Sequence, residues 1–387
     1  MSMLNVKQIF SVCLCMAMMF SAIDAVYART LTVGPGKEFV FPSVAAKFAE
    51  DGDVIEIDAS GMYLNDHVVW KQNNLTIKGV NGRPHIRNEV MIPNRKGIWV
   101  IKGNNVNVSN VEMSGAKVGD RNGAAIRLEG ENFHLSDCFI HDNENGILHG
   151  RHQPESEIII DNCEFAFNGK GKKGRTHNIY LGSVGRFILR NSYSHDALYG
   201  HLVKSRAVEN YILYNRLFEG MASYAIDLPN GGYGLVMGNV IYQGDKTDNS
   251  AIVAYGQKKL TRDNNQLEVV YNSFLNDRHG GAFVKVKDFS NVKVVNNIFS
   301  GEGKVLYGDG GKGYAENNVH TDVLFDVFSR NDISLKLESK ERVVDSAVKI
   351  KDREGNQLVP TRQLKDGRVV ERVQLGDKLD IGAVEYQ

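Results

Sequence analysis

The chain has 387 residues, and its 46 Lys and Arg are balanced by 46 Asp and Glu. That length allows two or three ordinary domains or one large single-core architecture, and zero net charge argues against a nucleic-acid protein, which carries a basic excess. Hydrophobic content of 42% excludes a disordered chain, while 39 glycines against only 7 prolines exclude collagen-like and linker-rich readings.

In chain order, Lys7 precedes an apolar stretch over 9–23, and Val26, Tyr27 and Ala28 follow it. Residues 1–28 read as a secretory signal; the rival reading is an uncleaved anchor helix. No later apolar run is long enough to span a membrane. The mature chain is therefore expected to be exported, periplasmic or secreted, with no membrane association, and to be a monomer. Cys13 and Cys15 fall within the signal, which leaves Cys138 and Cys163. Next, 42–50 (PSVAAKFAE) lies between two β-like stretches and predicts a short amphipathic helix, suited to capping the open end of a repeat core.

The body repeats one short motif, apolar residues followed by Asn or Asp. It recurs at Asn110, Asp137, Asn162, Asn191, Asn215, Asn239, Asn272, Asn297 and Asn318, with spacings of 21 to 33 residues. Such a period with β-branched strands marks a solenoid. A second strand recurs in each unit, and no helical pattern separates the strands, so helix-containing repeats are excluded. The remaining solution is an all-β parallel β-helix over 29–320, of nine to eleven coils. The recurring Asn is expected at one inward corner, stacked as an amide ladder. Cys138 and Cys163 each directly follow a ladder position, as stacked small residues or as a disulfide. Residues 321–387 lose the repeat and are expected to form an irregular tail packed on the last coils.

Three insertions interrupt the period, at 150–157, 169–176 and 257–266. The second (GKGKKGRT) carries Lys170, Lys172, Lys173 and Arg175, either as a solvated loop or as an electropositive wall beside a groove. His141, His149, His152, His177, His195 and His201 cluster within 61 residues, although no pair has a zinc-like spacing within one element. The densest chemistry lies at 199–232, where His201, Lys204 and Arg206 precede Asp227 by one coil. Strict alternation from Leu202 inward buries Lys204, which then needs Asp227 as a partner; a shifted register instead turns both to solvent. His177, Asn178, Tyr180 and Tyr224 occupy corresponding strands on neighbouring coils, and Arg127 and His149 lie on the strands before them. These six are the candidate substrate-binding residues, beside His201, Lys204, Arg206 and Asp227 as the candidate catalytic ones.

On TLTVGPGKEF, WKQNNLTIKGV, HDNENGIL, HNIYLG, GHLVKSRAVENYILYNR, IDLPNGG and DIGAVE, the chain resembles the secreted right-handed parallel β-helix repeat proteins of bacteria over most of 30–387. A more distant similarity links 201–210 (HLVKSRAVEN) to the motif EIITSKSQEN of the β-helical chondroitin and alginate lyases. Under that alignment the family's catalytic Lys falls on Arg206, its catalytic Arg on Asp227 and its calcium-binding Glu on His201. Calcium is therefore not supported by the residues present, and the metal is left unknown.

The resemblance implies an anionic polysaccharide as partner and lyase or epimerase chemistry on a uronate-containing glycan. That chemistry needs a clamp for the C6 carboxylate (Arg206 and Lys204), a base (His201 or Lys204) and an acid (Tyr180 or Tyr224). Two other classes stay open: a non-catalytic carbohydrate-binding or cell-envelope β-helix, and a hydrolase pairing Asp227 with Glu219.

Overall fold

The computed structural model of the chain describes residues 28–172, 174–287, 291–308, 313–323 and 325–386. Residues 1–27 of the expected signal and Lys173 of the basic insertion lie outside them. Among the described residues, no helix is long and apolar enough to cross a membrane.

The chain winds into a parallel β-helix of about eleven coils, whose strands form sheets of twelve, eleven and ten members. Each complete coil contributes one strand to each sheet, as in Glu209–Leu213, Arg216–Glu219 and Ile226–Leu228. Winding starts earlier than the motif count implied, because Thr30–Val33 already pairs in parallel with Val54–Asp58. Period-2 alternation gives every strand an inner face, and the inner faces share one core running from Leu31 to Phe299. Aromatic contacts between coils fill it, among them Trp70 against Trp99 at 5.7 Å and Phe274 against Phe299 at 5.0 Å.

The turn between the twelve- and eleven-stranded sheets is two residues long and recurs in coil after coil. Its first residue is left-handed: Asn110, Asp137, Asn162, Asn191, Tyr214, Gly238, Tyr271, Asn296 and Asn317 all have φ between 48° and 69°. Asn and Asp tolerate this conformation through local side-chain hydrogen bonding. The second residue points inward. From Asn215 onward it is asparagine, and the amides interlock. Asn215 donates its backbone N–H and its Nδ2 to Asn239 Oδ1 at 2.8 and 3.0 Å. Asn239 does the same to Asn272, Asn272 to Asn297, and Asn297 to Asn318.

This corrects the expected ladder in the first coils. Asn110, Asp137, Asn162 and Asn191 sit one residue before the inward seat, at the left-handed position. The seat itself holds Val111, Cys138, Cys163 and Ser192. Cys138 and Cys163 are buried free thiols, and they continue the ladder in another chemistry. The Cys138 N–H points at Cys163 Sγ at 3.4 Å, the Cys163 N–H at Ser192 Oγ at 3.1 Å, and the Ser192 N–H at Asn215 Oδ1 at 2.9 Å.

At the N-terminal end, the expected helix is a single turn, Pro42–Ala45, with Pro at its first position and no side-chain cap. So short a helix depends on packing: Ala45 and Ala49 are buried, and Gln72 Nε2 donates to the Ala46 and Ala49 carbonyls. At the other end, the residues after 320 include two antiparallel hairpins, Phe325–Phe328 with Ile333–Leu335 and Arg362–Lys365 with Arg368–Glu371. They run along the side of the coils. Arg330 reaches Asp196, Arg353 reaches Glu209, and the Ala383 N–H bonds Ser273 Oγ at 3.0 Å.

The register of the inner ladder has a direct test. Asn239→Ala removes the acceptor for two Asn215 donors inside the core, and is expected to lower unfolding free energy by about 2–4 kcal/mol in urea. Asn162→Gly, at an exposed left-handed position, is expected to change it by less than about 0.5 kcal/mol.

Candidate functional site

The outer face of the ten-stranded sheet carries the site. In-register pairing places Arg127, Leu148, Tyr180, Lys204 and Asp227 in one row on consecutive coils. Their strand neighbours Ile179, Leu181, Val203, Ser205, Ile226 and Leu228 are buried, so the row faces outward. Leu202 and Val203 are both fully buried, which resets the alternation at the corner. Lys204 therefore lies on the outer face rather than in the core. It still meets Asp227, with Nζ 2.8 Å from Oδ2.

A pocket of about 440 Å³ opens over this row. His177, Tyr180, Lys204 and Arg206 line its floor, and Arg121, Asn122, Lys172, Arg175 and Lys258 line its sides. Six cationic side chains face one carboxylate, Asp120, among the lining residues. Of the two readings of the 169–176 insertion, the wall is the one seen: Lys172, Gly174 and Arg175 line the pocket. The 257–266 insertion adds Lys258 and is tied down by Arg262, which donates to Ser183 Oγ at 2.8 Å and to the Arg206 carbonyl at 2.9 Å. The 150–157 insertion is not a wall. His152–Asp161 is a strand of the twelve-stranded sheet, paired with Ser183–Arg190 through a register shift.

From His177 in the floor, a stack continues through His201 and Tyr224 on the next two coils, with ring centroids 4.9 and 5.3 Å apart. Backbone amides fix both imidazoles. The His201 N–H donates to His177 Nδ1 at 3.0 Å, and the Tyr224 N–H donates to His201 Nδ1 at 3.2 Å. Each Nδ1 is thus an acceptor, and in the neutral ring the proton sits on Nε2. Burial, reinforced by neighbouring cations, holds both histidines well below the usual imidazole range. His201 Nε2 lies 3.3 Å from Asp227 Oδ2 and 3.4 Å from Lys204 Nζ, beneath that pair. Asp227 itself is pushed up by burial, with Lys204 pulling the other way. On the pocket side, Arg206 Nε donates to Tyr180 Oη at 3.1 Å and NH1 to Asn230 Oδ1.

Two expected site residues lie elsewhere. Asn178 is fully buried and bonds Ser194 Oγ, the His195 carbonyl and Asn168; it belongs to the interior amide network. His149 pairs in register with Leu128 and is also fully buried, because alternation after Leu148 turns it inward to Gln153. Arg127 keeps its place in the outer row, beyond Leu148. Glu219, the suggested partner of Asp227 for hydrolysis, is sealed in the interior and accepts the Met221 and Ala222 amides. The pocket does not fit calcium, which takes six to eight oxygen ligands, because Asp120 is its single carboxylate. Asp120, Arg121, Asn122 and Lys258 were not expected. The one available signal was the length of the 115–123 connection compared with the short 142–144 connection one coil later.

Residues 151–320 match the family model described as a right handed beta helix region. The fold is a right-handed parallel β-helix. A pectate lyase, Pel9A, shares the architecture with a TM-score of 0.54 at 12% identity, over 94% of this chain and 98% of that one. A GH136 lacto-N-biosidase from Eubacterium ramulus aligns at 0.44 and 12% identity, over 76% and 68% of the two chains. No curated protein matches the chain in sequence.

Truncating Lys204 leaves the Asp227 carboxylate buried without its cation. Lys204→Ala is expected to cost about 3–5 kcal/mol at neutral pH. Burial raises Asp227 above its unfolded value, so its ionised form opposes folding once pH exceeds that unfolded value. Without Lys204 this opposition grows. The difference between variant and wild type should therefore narrow as pH falls and Asp227 takes a proton. Urea denaturation of both proteins across a pH series measures that gap.

Proposed function

We propose that the protein is an exported carbohydrate-active enzyme, a lyase or epimerase that takes an acidic, uronate-containing glycan in the basic pocket. The observation that carries this reading is the ratio of six cations to one carboxylate around a solvent-open pocket, beside a Tyr180 hydroxyl held by Arg206 at 3.1 Å. That a pectate lyase shares this architecture agrees with the reading as a fold-level analogy.

In this reading Arg206 and Arg175 clamp the C6 carboxylate, which makes the C5 proton acidic. Lys204 serves as base. Its proton passes to Asp227, 2.8 Å away, whose burial-raised carboxyl is a ready acceptor, and the free amine takes the C5 proton. Tyr180 protonates the leaving oxygen in a lyase. His201 lies beneath both partners, with Nε2 3.4 Å from Lys204 Nζ and 3.3 Å from Asp227 Oδ2.

A second reading, a non-catalytic binder of the same glycans, is favoured by the pairing of Lys204 with Asp227 in the resting site. Incubation of purified mature protein with polygalacturonate, alginate, chondroitin and hyaluronan separates the two. A lyase generates an unsaturated product with ultraviolet absorbance, an epimerase changes the uronate composition of the polymer, and a binder retains the polymer unchanged. If the chain is catalytic, Tyr180→Phe should lower kcat about 10²–10⁴-fold with KM little changed. Arg206→Ala should lower kcat/KM about 10²–10³-fold while the protein still folds. Full activity in both variants would remove this assignment of roles.

A further inference from the structure

A different sheet carries a second cluster that the pocket does not use. On the eleven-stranded sheet, His85, Glu112 and His141 come from three successive strands, His85–Arg87, Glu112–Ser114 and Phe139–His141. One ligand atom from each lies within 4.8 Å of the others. Glu112 Oε1 is 3.4 Å from His85 Nδ1 and 3.1 Å from His141 Nε2. Four ligands at zinc bonding distances of 2.0–2.1 Å stand about 3.3 Å apart along each edge of the tetrahedron. The two observed separations match such edges.

The outer nitrogen of each imidazole is already held. His85 Nε2 bonds Ser114 Oγ at 2.7 Å, and His141 Nδ1 meets Asp142 Oδ2 at 2.7 Å. Asp142 is in turn paired with Lys170. This is the outer shell that orients metal-bound histidines, one held by a hydroxyl and one by a carboxylate. His141 also lies between two carboxylates, each nitrogen facing an acceptor, so its Nε2 carries either a proton or a metal.

The chain contains its own counterexample two coils on. His195 Nε2 meets Glu164 Oε1 at 3.2 Å, and His195 Nδ1 meets Asp196 Oδ2 at 2.7 Å. The ring stacks on Tyr193 as His141 stacks on Phe139, at 4.0 and 4.2 Å. In register, however, Phe139 stands beside Glu164 where His85 stands beside Glu112, and Ala166 stands beside His195 where Ser114 stands beside His141. The second imidazole and its hydroxyl support are both missing there. Arg330 instead neutralises Asp196 through two hydrogen bonds, at 2.6 and 2.8 Å. One scaffold thus appears twice, once closed by a guanidinium and once with three convergent metal-binding atoms at a half-buried surface.

We propose that His85, Glu112 and His141 bind one zinc ion, with the fourth position open to solvent. Two imidazoles and a single carboxylate suit zinc rather than calcium or magnesium. The test is calorimetric titration of zinc chloride into chelator-stripped mature protein, with zinc per chain measured after dialysis. One zinc per chain is expected, together with a zinc-dependent rise in melting temperature. His85→Phe copies the second motif and should weaken binding at least about 100-fold, beyond the range seen when outer-shell partners are removed. Glu112→Gln should do the same, which covers the case in which one variant fails to fold. His195→Ala should leave zinc affinity unchanged. Absence of stoichiometric zinc on the wild type, or wild-type affinity in folded His85→Phe or Glu112→Gln, would overturn the site.

Discussion

Everything on the surface of this molecule depends on one turn. A left-handed residue reverses the chain between two sheets, and the residue after it plugs into a hydrogen-bonded column along the core. The plug cannot slip by one position, because the residue before it needs positive φ and the residue after it starts the next strand. Each coil is thereby locked over the last at the strand spacing of about 4.8 Å. Residues some 24 positions apart in sequence become side-chain neighbours, which is how His177, His201 and Tyr224 come to stack.

From Cys138 onward the seat tolerates several chemistries because the column needs only an acceptor aimed at the preceding N–H. Asparagine meets that need best, since its Nδ2 also reaches a backbone carbonyl, as Asn239 does with Ile212 at 2.8 Å. Serine and cysteine offer a weaker acceptor in less volume, and they occupy the seat in earlier coils. An asparagine in either place gives the same local sequence signal, whether it is adapting to left-handed backbone outside or bridging coils inside.

Stacking also explains the electrostatics of both clusters. On the ten-stranded sheet, the register brings Lys204 over Asp227, and the buried imidazole of His201 lies behind both. On the eleven-stranded sheet, the same spacing twice sets a histidine between two acidic residues. The lateral tail closes one of these with Arg330, while Lys170 approaches the other. Lys170 belongs to the insertion that supplies Lys172 and Arg175 to the pocket wall, so the two clusters share one loop.

The sequence by itself determined the solenoid, its period, the turn-forming Asn and Asp, and the convergence of Tyr180, Lys204, Arg206 and Asp227 on adjacent coils. Those features follow from repetition, which is visible along a single chain. Only the tertiary structure decided which side chains of that set face out. Consecutive burial of Leu202 and Val203 shifts the phase by one and exposes Lys204, whereas Asn178 and His149 turn inward. Connections of different length enter each corner, so the phase of alternation restarts on every strand and is fixed by packing against the coil beneath. The basic rim from Arg121 and Lys258 was hidden for the same reason. Its members lie far apart in sequence, and the path of the loops around the helix brings them together.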